Sequence, residues 1–483
     1  MAWHPTTRLE LSGHRFLRRR IECALLGIDL RSVNEAIRAP AQSLAVGLVF
    51  AIVALAGCLV LALLRPQSDA ETAPIVMERQ SGALYVRLAD TLHPVLNLAS
   101  ARLIMKINAD PEPMAASAFG RNKMGSLLGI PGAPQFLGKP LGGGESQWTV
   151  CDGGDRTTVI VGAQPQSNVL GRDQALLVTP STGGSTYLLF DGRRAVVNPD
   201  DAAVARVLGL DGQLPLHVSP TLLNLVPETS PIAAPPIPDV GERGPDSLPG
   251  FRVGTVLRVA RSGGDDYYVV LREGVQRVGA LAAELVRFSE PQGTRTAISV
   301  APDVIRTTKS VTRLPVSEFP DRVSPQPVAS GTTLCASWAP AVSGSVTVSF
   351  SLAGLPIPVG QAPVELAQAD GKGPAVDALY LPPGRMAYVR ATSLSGADAR
   401  AGPRYLISDT GVRFAVHDDE AAKDLGMPAT MVAAPWPVLA QLPAGPELSR
   451  ANASVAQDIP AVARPIGTTQ SGPQRAAGQH RRQ

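Results

Sequence analysis

The sequence predicts an α+β protein. A short cytoplasmic amphipathic helix and one transmembrane helix precede an exported ectodomain of four β-hairpin/helix repeats around a central β domain. Three observations support this prediction. An uncharged apolar run lies near the N-terminus, a short strand containing tyrosine recurs four times after it, and two strand-rich stretches between the recurrences each hold one cysteine. With 483 residues the chain is long enough for several domains.

The apolar run covers residues 41–64 and contains no charged side chain. At about 1.5 Å per residue, a helix of this length spans roughly 36 Å, which exceeds the bilayer core of about 30 Å. A secretory signal is one alternative, but its apolar core usually has about 7–15 residues and follows a much shorter polar segment. A buried helix of a soluble protein is the other, and such helices are rarely apolar on every face. We expect a transmembrane helix over residues 40–65.

Charges on either side of this run predict its orientation. Residues 1–38 carry seven arginines and four carboxylates, whereas residues 65–79 carry two arginines and three carboxylates. The positive-inside tendency leaves the N-terminus in the cytoplasm and exports the rest, as a single-pass protein of the inner (cell) membrane. The formal net charge of the whole chain is +3, so the exported part is close to neutral. Nucleic-acid binding proteins need a basic face, and this balance argues against that class.

The cytoplasmic segment, residues 1–39, is predicted to contain an extended piece, a turn at Ser12 and Gly13, and a basic amphipathic helix. Its apolar side chains have helical spacing. They are Leu17, Ile21, Ala24, Leu25 and Ile28. Such a helix beside a membrane span can lie on anionic headgroups or dock on a partner, or the arginines can be a topology signal alone. The candidate docking residues are Arg15, Phe16, Arg18 and Arg19.

The exported part contains an internal repeat. A strand with a tyrosine, a turn, a second strand and an Ala/Leu-rich helical stretch recur around Tyr85, Tyr187, Tyr268 and Tyr405. Their irregular spacing argues against a solenoid, and chance similarity of short hairpins is the alternative. The predicted repeats are residues 75–115, 181–226, 250–297 and 398–448.

The segments between the repeats differ in composition. Residues 124–180 and 298–395 are strand-rich and are predicted to form the two parts of the central domain. Residues 227–249 contain seven prolines and are predicted to be a stiff linker. Residues 449–483 lack aromatic side chains and are predicted to be a disordered tail.

Two of the four cysteines, Cys151 and Cys335, lie in the exported part, where disulfides are permitted. Each belongs to one strand-rich stretch, so a bridge would join the two parts of the central domain. In the chain-entropy model such a long loop gives about 5 kcal/mol of stabilisation. Two unrelated buried thiols are the alternative.

No catalytic or metal-binding pattern occurs in the sequence. The phosphate loop G-x-x-x-x-G-K-[ST] is absent, because Gly138-Lys139 is followed by Pro140. The histidines are scattered, and carboxylate pairs such as Asp200-Asp201 lie where acidic side chains cap helices. We therefore predict no catalytic residue, no metal ligand and no cofactor.

Several motifs together resemble one family. They are T-T-x-x-x-x-S-G-x-R-F-L-x-R-R-x-E at residues 6–22, R-P-Q at 65–67, H-P-V-L-N-L-A-S-A-R-L at 93–103, G-I-P-G-A-P at 129–134, W-T-V-C at 148–151 and L-C-A-S-W at 334–338. This combination resembles the EccB family, the single-span membrane components of the type VII (ESX) secretion machinery of mycobacteria and related bacteria. The resemblance extends to about residue 448.

The resemblance implies a structural subunit of the secretion complex. It implies partners of the EccC, EccD and EccE types, self-association of the ectodomain, and repeats similar to a phage-lysin cell-wall-binding fold. That similarity suggests contact with peptidoglycan, and a stand-alone wall anchor is the first alternative function. Family members are sometimes labelled ATPases, so an ATPase is the second alternative function. This label is the only reason to consider ATP as a cofactor. The exported part faces a compartment without ATP.

Overall fold

The computed structural model describes residues 8–27, 44–60, 72–120, 122–162, 167–289, 296–329, 331–341, 345–371, 373–396 and 401–457. The chain divides into two compact units, Met1–Ala70 and Glu71–Gln483.

Helix α1 of the first unit spans Arg8–Leu25. The prediction of a turn at Ser12 and Gly13 is wrong, because the helix passes through both residues. A glycine inside a helix costs only about 1 kcal/mol relative to alanine, which is too little to interrupt a helix of this length. The Ser12 hydroxyl donates to the Leu9 carbonyl at 2.8 Å and so needs no turn to find a partner.

Helix α2 covers residues 44–60 and lies inside the predicted transmembrane run. The remaining residues of that run, 40–43 and 61–65, lie outside the described part of the chain. Within the described ranges, the structure contains no helix that combines the length and the apolar content needed to cross a bilayer.

Within its described residues, the second unit contains 28 strands and several short helices. The strands are β1 (Ile75–Glu78), β2 (Leu84–Leu88), β3 (Thr91–Val95), β4 (Glu112–Met114), β5 (Lys123–Met124), β6 (Leu127–Leu128), β7 (Lys139–Pro140), β8 (Trp148–Gly153), β9 (Arg156–Val161), β10 (Gln174–Pro180), β11 (Thr186–Phe190), β12 (Arg193–Val197), β13 (Leu216–Val218), β14 (Glu228–Ile232), β15 (Val256–Val259), β16 (Asp266–Leu271), β17 (Gly274–Val278), β18 (Ile298–Ser299), β19 (Ser324–Pro325), β20 (Leu334–Pro340), β21 (Val346–Leu352), β22 (Val364–Glu365), β23 (Ala378–Tyr380), β24 (Arg385–Thr392), β25 (Arg404–Ile407), β26 (Arg413–Ala415), β27 (Val432–Pro435) and β28 (Ala456–Gln457). The helices are α3 (Leu98–Met105), α4 (Ala116–Phe119), α5 (Ala202–Leu208), α6 (Pro220–Asn224), α7 (Ala280–Ser289), α8 (Pro302–Arg306), α9 (Asp419–Asp424), α10 (Trp436–Leu439) and α11 (Arg450–Ala453), with a 3₁₀ turn at Gly143–Glu145.

Four of the five sheets share one strand order. Three successive strands pair antiparallel, a helix follows, and the next strand returns parallel beside the first. A second short helix comes after the return strand. These sets are named module 1 (β1–β4, α3, α4), module 2 (β10–β13, α5, α6), module 3 (β15–β18, α7, α8) and module 4 (β24–β27, α9, α10). In modules 2 and 4, short glycine turns join the second and third strands, at Gly192 with φ of 71° and at Gly411 with φ of 84°.

Two predicted boundaries are wrong by one strand. The predicted repeats starting at residues 181 and 398 omit β10 and β24, which pair with β11 and β25 and are the first strands of modules 2 and 4. Both strands are buried on both faces, so their residues are almost continuously apolar. In sequence they therefore look the same as strands of a central sheet. The predicted second part of the central domain also includes β18, which belongs to the sheet of module 3.

The fifth sheet is the central one, with the order β21-β20-β8-β9-β23-β22. Its neighbouring strands β8 and β20 are antiparallel and place Trp148 opposite Trp338 and Cys151 opposite Cys335. Both tryptophans are fully buried. Because these strands come from the two strand-rich stretches, the sheet joins distant parts of the sequence.

The proline-rich residues 227–249 are not a separate linker, and this part of the prediction is wrong. Strand β14 lies within them and pairs in parallel with β12, with a register shift between Ala195 and Val197. Ile232 and Leu248 are buried in the cores of modules 2 and 3. Proline is tolerated on an edge strand or at a bulge, which explains why Pro231 does not prevent pairing.

The predicted tail is ordered at its start. Helix α11 and strand β28 follow Ser449, and β28 pairs with β6 beside module 1. The Arg450 guanidinium binds both carboxylate oxygens of the buried Asp424, at 2.7 and 3.1 Å. These contacts hold a segment that is poor in large apolar residues, which is why composition predicted disorder there. Residues 458–483 lie outside the described part.

The cores show which modules pack together. One apolar cluster contains Leu103 of α3 and Leu425 after α9, so it joins modules 1 and 4. Another contains Leu208 of α5 and Leu285 of α7, so it joins modules 2 and 3. The largest cluster includes one face of the central sheet with residues of modules 2 and 4.

Two short strands cross between the halves of the chain. β7, which follows module 1, pairs in parallel with the start of β24 in module 4. β19, which follows module 3, pairs in parallel with the start of β10 in module 2. In each half of the unit, two modules and one hairpin of the central sheet therefore follow in the same order, and β7 and β19 make matching contacts between the halves.

Candidate functional site

The centre of the second unit is a covalent cross-strand link. Cys151 and Cys335 form a disulfide with an S–S distance of 2.03 Å and a Cα–Cα distance of 4.0 Å. Both side chains are fully buried in a small cluster with Ile160 and Tyr380. Two residue pairs away along the strands, the hydroxyls of Thr149 and Ser337 lie 2.7 Å apart. The bridge ties together two hairpins that are separated by 184 residues.

Asp152, the residue after Cys151, is the first of two carboxylates that bind backbone groups around the central sheet. Asp152 accepts a hydrogen bond from the backbone N–H of Ser219, which caps α6 of module 2, at 2.6 Å. Its other oxygen accepts from the Thr157 hydroxyl at 2.9 Å. Burial raises the pKa of the Asp152 carboxyl, and the nearby charge of Asp377 acts in the same direction, while the hydrogen bonds from Ser219 and Thr157 oppose the increase. Asp152 therefore joins the central sheet to module 2.

Asp377 is fully buried and holds a loop against the central sheet. One carboxylate oxygen accepts from the backbone N–H of Thr157 at 2.8 Å. The other accepts from the N–H groups of Asp370 and Gly371, at 2.9 and 2.7 Å. Three donors on one carboxylate make it a structural anchor, because the oxygens are already occupied by backbone groups.

A buried arginine joins modules 1 and 4. Arg102 of α3 donates to the Leu425 carbonyl at 3.1 Å and to the Ala109 carbonyl at 3.1 Å. Its second terminal nitrogen binds the Asp110 carboxylate at 2.8 Å. Arg102 lies in the motif at residues 93–103. Nothing in that pattern indicates that its partner is the Leu425 carbonyl, more than 300 residues away.

The four predicted docking residues lie on α1 in the first unit and are exposed. Phe16 is 60% exposed, and Leu17 and Ile21 are also accessible, so the helix presents apolar side chains. Arg18 forms an ion pair with Glu22 at 3.0 Å. The four docking residues belong to the first unit, whereas Cys151 and Cys335 belong to the second.

Two grooves were not predicted from the sequence. One lies in module 3, has a volume of about 780 Å³ and is lined largely by polar residues. Asp266 lies in this groove, and burial acts to raise the pKa of its carboxyl. The hydrogen bond and charge of Arg277, together with those of Arg261, outweigh burial and hold this pKa below its usual range. The second groove lies beside β27, has a volume of about 630 Å³ and is lined mostly by apolar residues. Grooves form between segments that are distant in sequence, so a residue pattern does not show them.

The described residues contain no group of three or more histidine, cysteine, aspartate or glutamate side chains placed to hold a metal ion. The geometry of the second unit is thus one of cross-links, buried anchors and grooves. Such features hold strands and modules together and offer surfaces for association.

A family model described as "Type VII secretion system ESX-1, transport TM domain B" matches residues 3–462. Among characterised relatives, the chain is 34% identical over 478 residues to the ESX-3 secretion system ATPase EccB3 of Mycolicibacterium smegmatis, covering 94% of this chain and 91% of that protein. It is also 34% identical over 479 residues to the ESX-2 secretion system ATPase EccB2 of Mycobacterium tuberculosis, covering 94% and 95%.

Solved structures are similar over the same range. A chain of an intact ESX-5 inner membrane complex superposes with a TM-score of 0.69 at 30% identity, covering 98% of this chain and 99% of that one. A chain of an EccB3 dimer from the ESX-3 core complex superposes with a TM-score of 0.69 at 30% identity, covering 80% of this chain and 100% of that one.

Proposed function

This chain belongs to the EccB family of type VII secretion proteins, and from that premise we propose that it scaffolds the translocation machinery by association rather than by bond-making chemistry. Members of the family are structural components of the ESX inner membrane complex, and the word ATPase in their names is a label. The observation that supports scaffolding most directly is the match along almost the whole chain to a subunit of an intact ESX-5 inner membrane complex.

The architecture of the second unit suits this role. A disulfide, two buried carboxylates and the cores shared between modules make one cross-linked body. Self-association of this body is supported by the solved EccB3 dimer and by the ESX-5 periplasmic assembly, which are similar proteins in assembled form. We propose that copies of the second unit contact each other around the exit path.

The composition test uses the protein in its own membrane. Tagged full-length protein is extracted in mild detergent, and the mass and composition of the particle are measured. A megadalton assembly that contains a P-loop motor and multi-span partners supports the scaffold. A monomer or dimer alone would favour a stand-alone wall anchor, which binding to purified peptidoglycan then tests.

The membrane arrangement is the next part of the proposal. Residues 41–64 span the inner membrane once, with the N-terminus in the cytoplasm, and this is supported by the flanking charges. The native Cys23 gives a direct test with a membrane-impermeant maleimide applied to spheroplasts. Cys23 should react only after lysis, whereas a cysteine introduced by Leu214→Cys, at a 91% exposed position, should react before it. Labelling of Cys23 before lysis would refute this orientation.

The docking of α1 is the last part of the proposal. Arg15, Phe16, Arg18 and Arg19 would bind cytoplasmic faces of EccC, EccD and EccE type partners, and the exposure of Phe16 supports this role. Replacing Phe16 by Ala should reduce the amount of these partners that co-purifies, because an apolar anchor is lost. Arg20→Ala on the same helix is the matched control. Equal recovery of partners with both variants would count against docking through α1.

No nucleotide site is proposed. The sequence lacks the phosphate loop, so ATP is suggested only by the label of the relatives. Turnover of ATP by the purified protein, abolished by a point change in one defined groove without loss of folding, would contradict this proposal.

A further inference from the structure

An apolar groove lies beside β27, next to a strand edge. Its lining includes Leu141, Val346, Met427, Met431, Val432 and Ala433. Among the described residues that line it, Lys139 alone is charged. Methionine side chains adapt to irregular partners, and two of them lie in this lining. The groove therefore suits an apolar segment better than a charged one.

The groove also offers backbone hydrogen-bonding groups. β27 pairs with β24 on one side, and within the described part of the chain no strand pairs with its other side. An edge strand presents unpaired N–H and C=O groups, and an extended peptide can add to such an edge.

One wall of the groove is held in place before any ligand arrives. Arg385 donates to the Lys139 carbonyl at 3.1 Å and binds the Glu145 carboxylate at 2.7 Å. The backbone N–H of Gly142 also donates to that carboxylate, and these bonds hold the pKa of Glu145 below its usual range. A preformed wall reduces the entropy lost on binding.

A segment that could reach the groove follows β28, the last strand in the described part of the chain. Met427 lines the groove and belongs to the same apolar cluster as Ala453, and β28 begins three residues after Ala453. The chain then continues as Asp458 followed by I-P-A-V-A-R-P-I at residues 459–466. Nine extended residues reach at most about 32 Å, so these residues are long enough to cross to a neighbouring surface.

The composition of residues 459–466 fits the groove. Five of the eight residues are aliphatic and two are proline. Proline restricts the unbound chain to extended conformations, so less entropy is lost when the segment binds as a strand. Residues 467–483 are polar and basic and do not match the lining.

We propose that residues 459–466 of the same chain bind in this groove as an extended segment along the free edge of β27. This proposal is independent of the scaffold function. It assigns a place to the segment after β28 and identifies the β27 edge as a peptide-binding site.

Cross-linking of the full chain in detergent tests the contact. Cys23 and Cys58 are first replaced by serine, and the native bridge is kept. Met431→Cys is combined with Val462→Cys and treated with a short bis-maleimide. We expect a cross-link between the two positions within one chain, identified by mass spectrometry of the joined peptides. The matched control combines Leu214→Cys with Val462→Cys, since Leu214 is exposed but does not line the groove.

Three results would overturn the proposal. They are equal cross-linking in the control, no cross-link at Met431, and a covalent dimer as the only product. The dimer would show that the segment of a second copy occupies the groove.

Hydrogen exchange supplies a second readout that needs no cysteine. In a variant that ends at Gln457, amides of residues 431–434 should exchange about tenfold faster than in the full chain, because the groove loses its occupant. A peptide with the sequence of residues 458–470 should restore the protection. Amides of α5 serve as the internal control. Unchanged exchange at residues 431–434 after truncation would overturn the proposal.

Discussion

Replacing Asp377 by alanine should be among the most damaging single changes in the second unit. Its carboxylate accepts three backbone N–H groups, from Thr157, Asp370 and Gly371, at 2.7 to 2.9 Å. Asp377→Ala removes all three acceptors while leaving the donors in place. The loop at residues 370–371 would then lose its attachment to the central sheet.

The magnitude follows from the number of donors left without a partner. Each unsatisfied buried group costs about 1–3 kcal/mol. The adjacent cavity of about 290 Å³ gives water access to the Gly371 side, which reduces part of this cost. We expect Asp377→Ala to lower the free energy of unfolding by about 4 kcal/mol. Asp377→Asn keeps one acceptor oxygen but turns an amide NH₂ toward a donor, so about 2 kcal/mol is expected.

The assay is urea unfolding of the purified protein followed by tryptophan fluorescence. Trp148 and Trp338 are buried in the central sheet and report directly on its loss. Asp370→Ala is the matched control, because it changes an exposed side chain in the same loop and should cost less than about 0.5 kcal/mol. If Asp377→Ala and Asp370→Ala destabilise equally, the anchoring role of Asp377 is refuted.

Three further predictions concern the same body. Replacing Cys151 and Cys335 by serine should lower the melting temperature, with up to about 5 kcal/mol lost. An unchanged melting temperature of the wild type after reduction would contradict a stabilising role of the Cys151–Cys335 disulfide. Arg102→Met should lower the free energy of unfolding by about 2 kcal/mol, because it removes the hydrogen bond to the Leu425 carbonyl between modules 1 and 4. Urea unfolding measures this change, and a value near zero would show that the contact is not stabilising. The raised pKa of Asp152 means that the folded state binds its proton more tightly, so wild-type stability should fall as pH rises from about 4 through the folded pKa. Asp152→Asn should flatten this decline in a pH series of unfolding midpoints, and an identical slope in both proteins would refute the assignment.

The sequence predicted features that depend on local signals. A turn was predicted after each strand that contains a tyrosine, and in modules 2 and 4 these turns contain Gly192 and Gly411, which have the positive φ that favours glycine. The pairing of Cys151 with Cys335 followed from their compartment and from the strand-rich stretches around them. The family followed from motifs that are specific in combination.

Features that depend on distant contacts were not predictable in the same way. β10 and β24 are apolar on both faces, so their sequences do not show to which sheet they belong. Asp377 looks like any acidic residue near a glycine, and only the fold brings three backbone donors to it. The start of the predicted tail is ordered because Arg450 binds Asp424, and composition alone does not predict this contact.

The crossed strands have a consequence for how the protein is made. Module 1 shares its sheet with β28 at residues 456–457, and module 2 receives β19 from after module 3. The central sheet needs β20 as well as β8. The sheet of module 3 uses only strands between residues 256 and 299, whereas the sheets of modules 1 and 2 and the central sheet each need strands from later in the chain. Folding of this kind is expected to be slow and late, and a chain that stops before residue 456 would remain open at module 1, where synthesis of the body began.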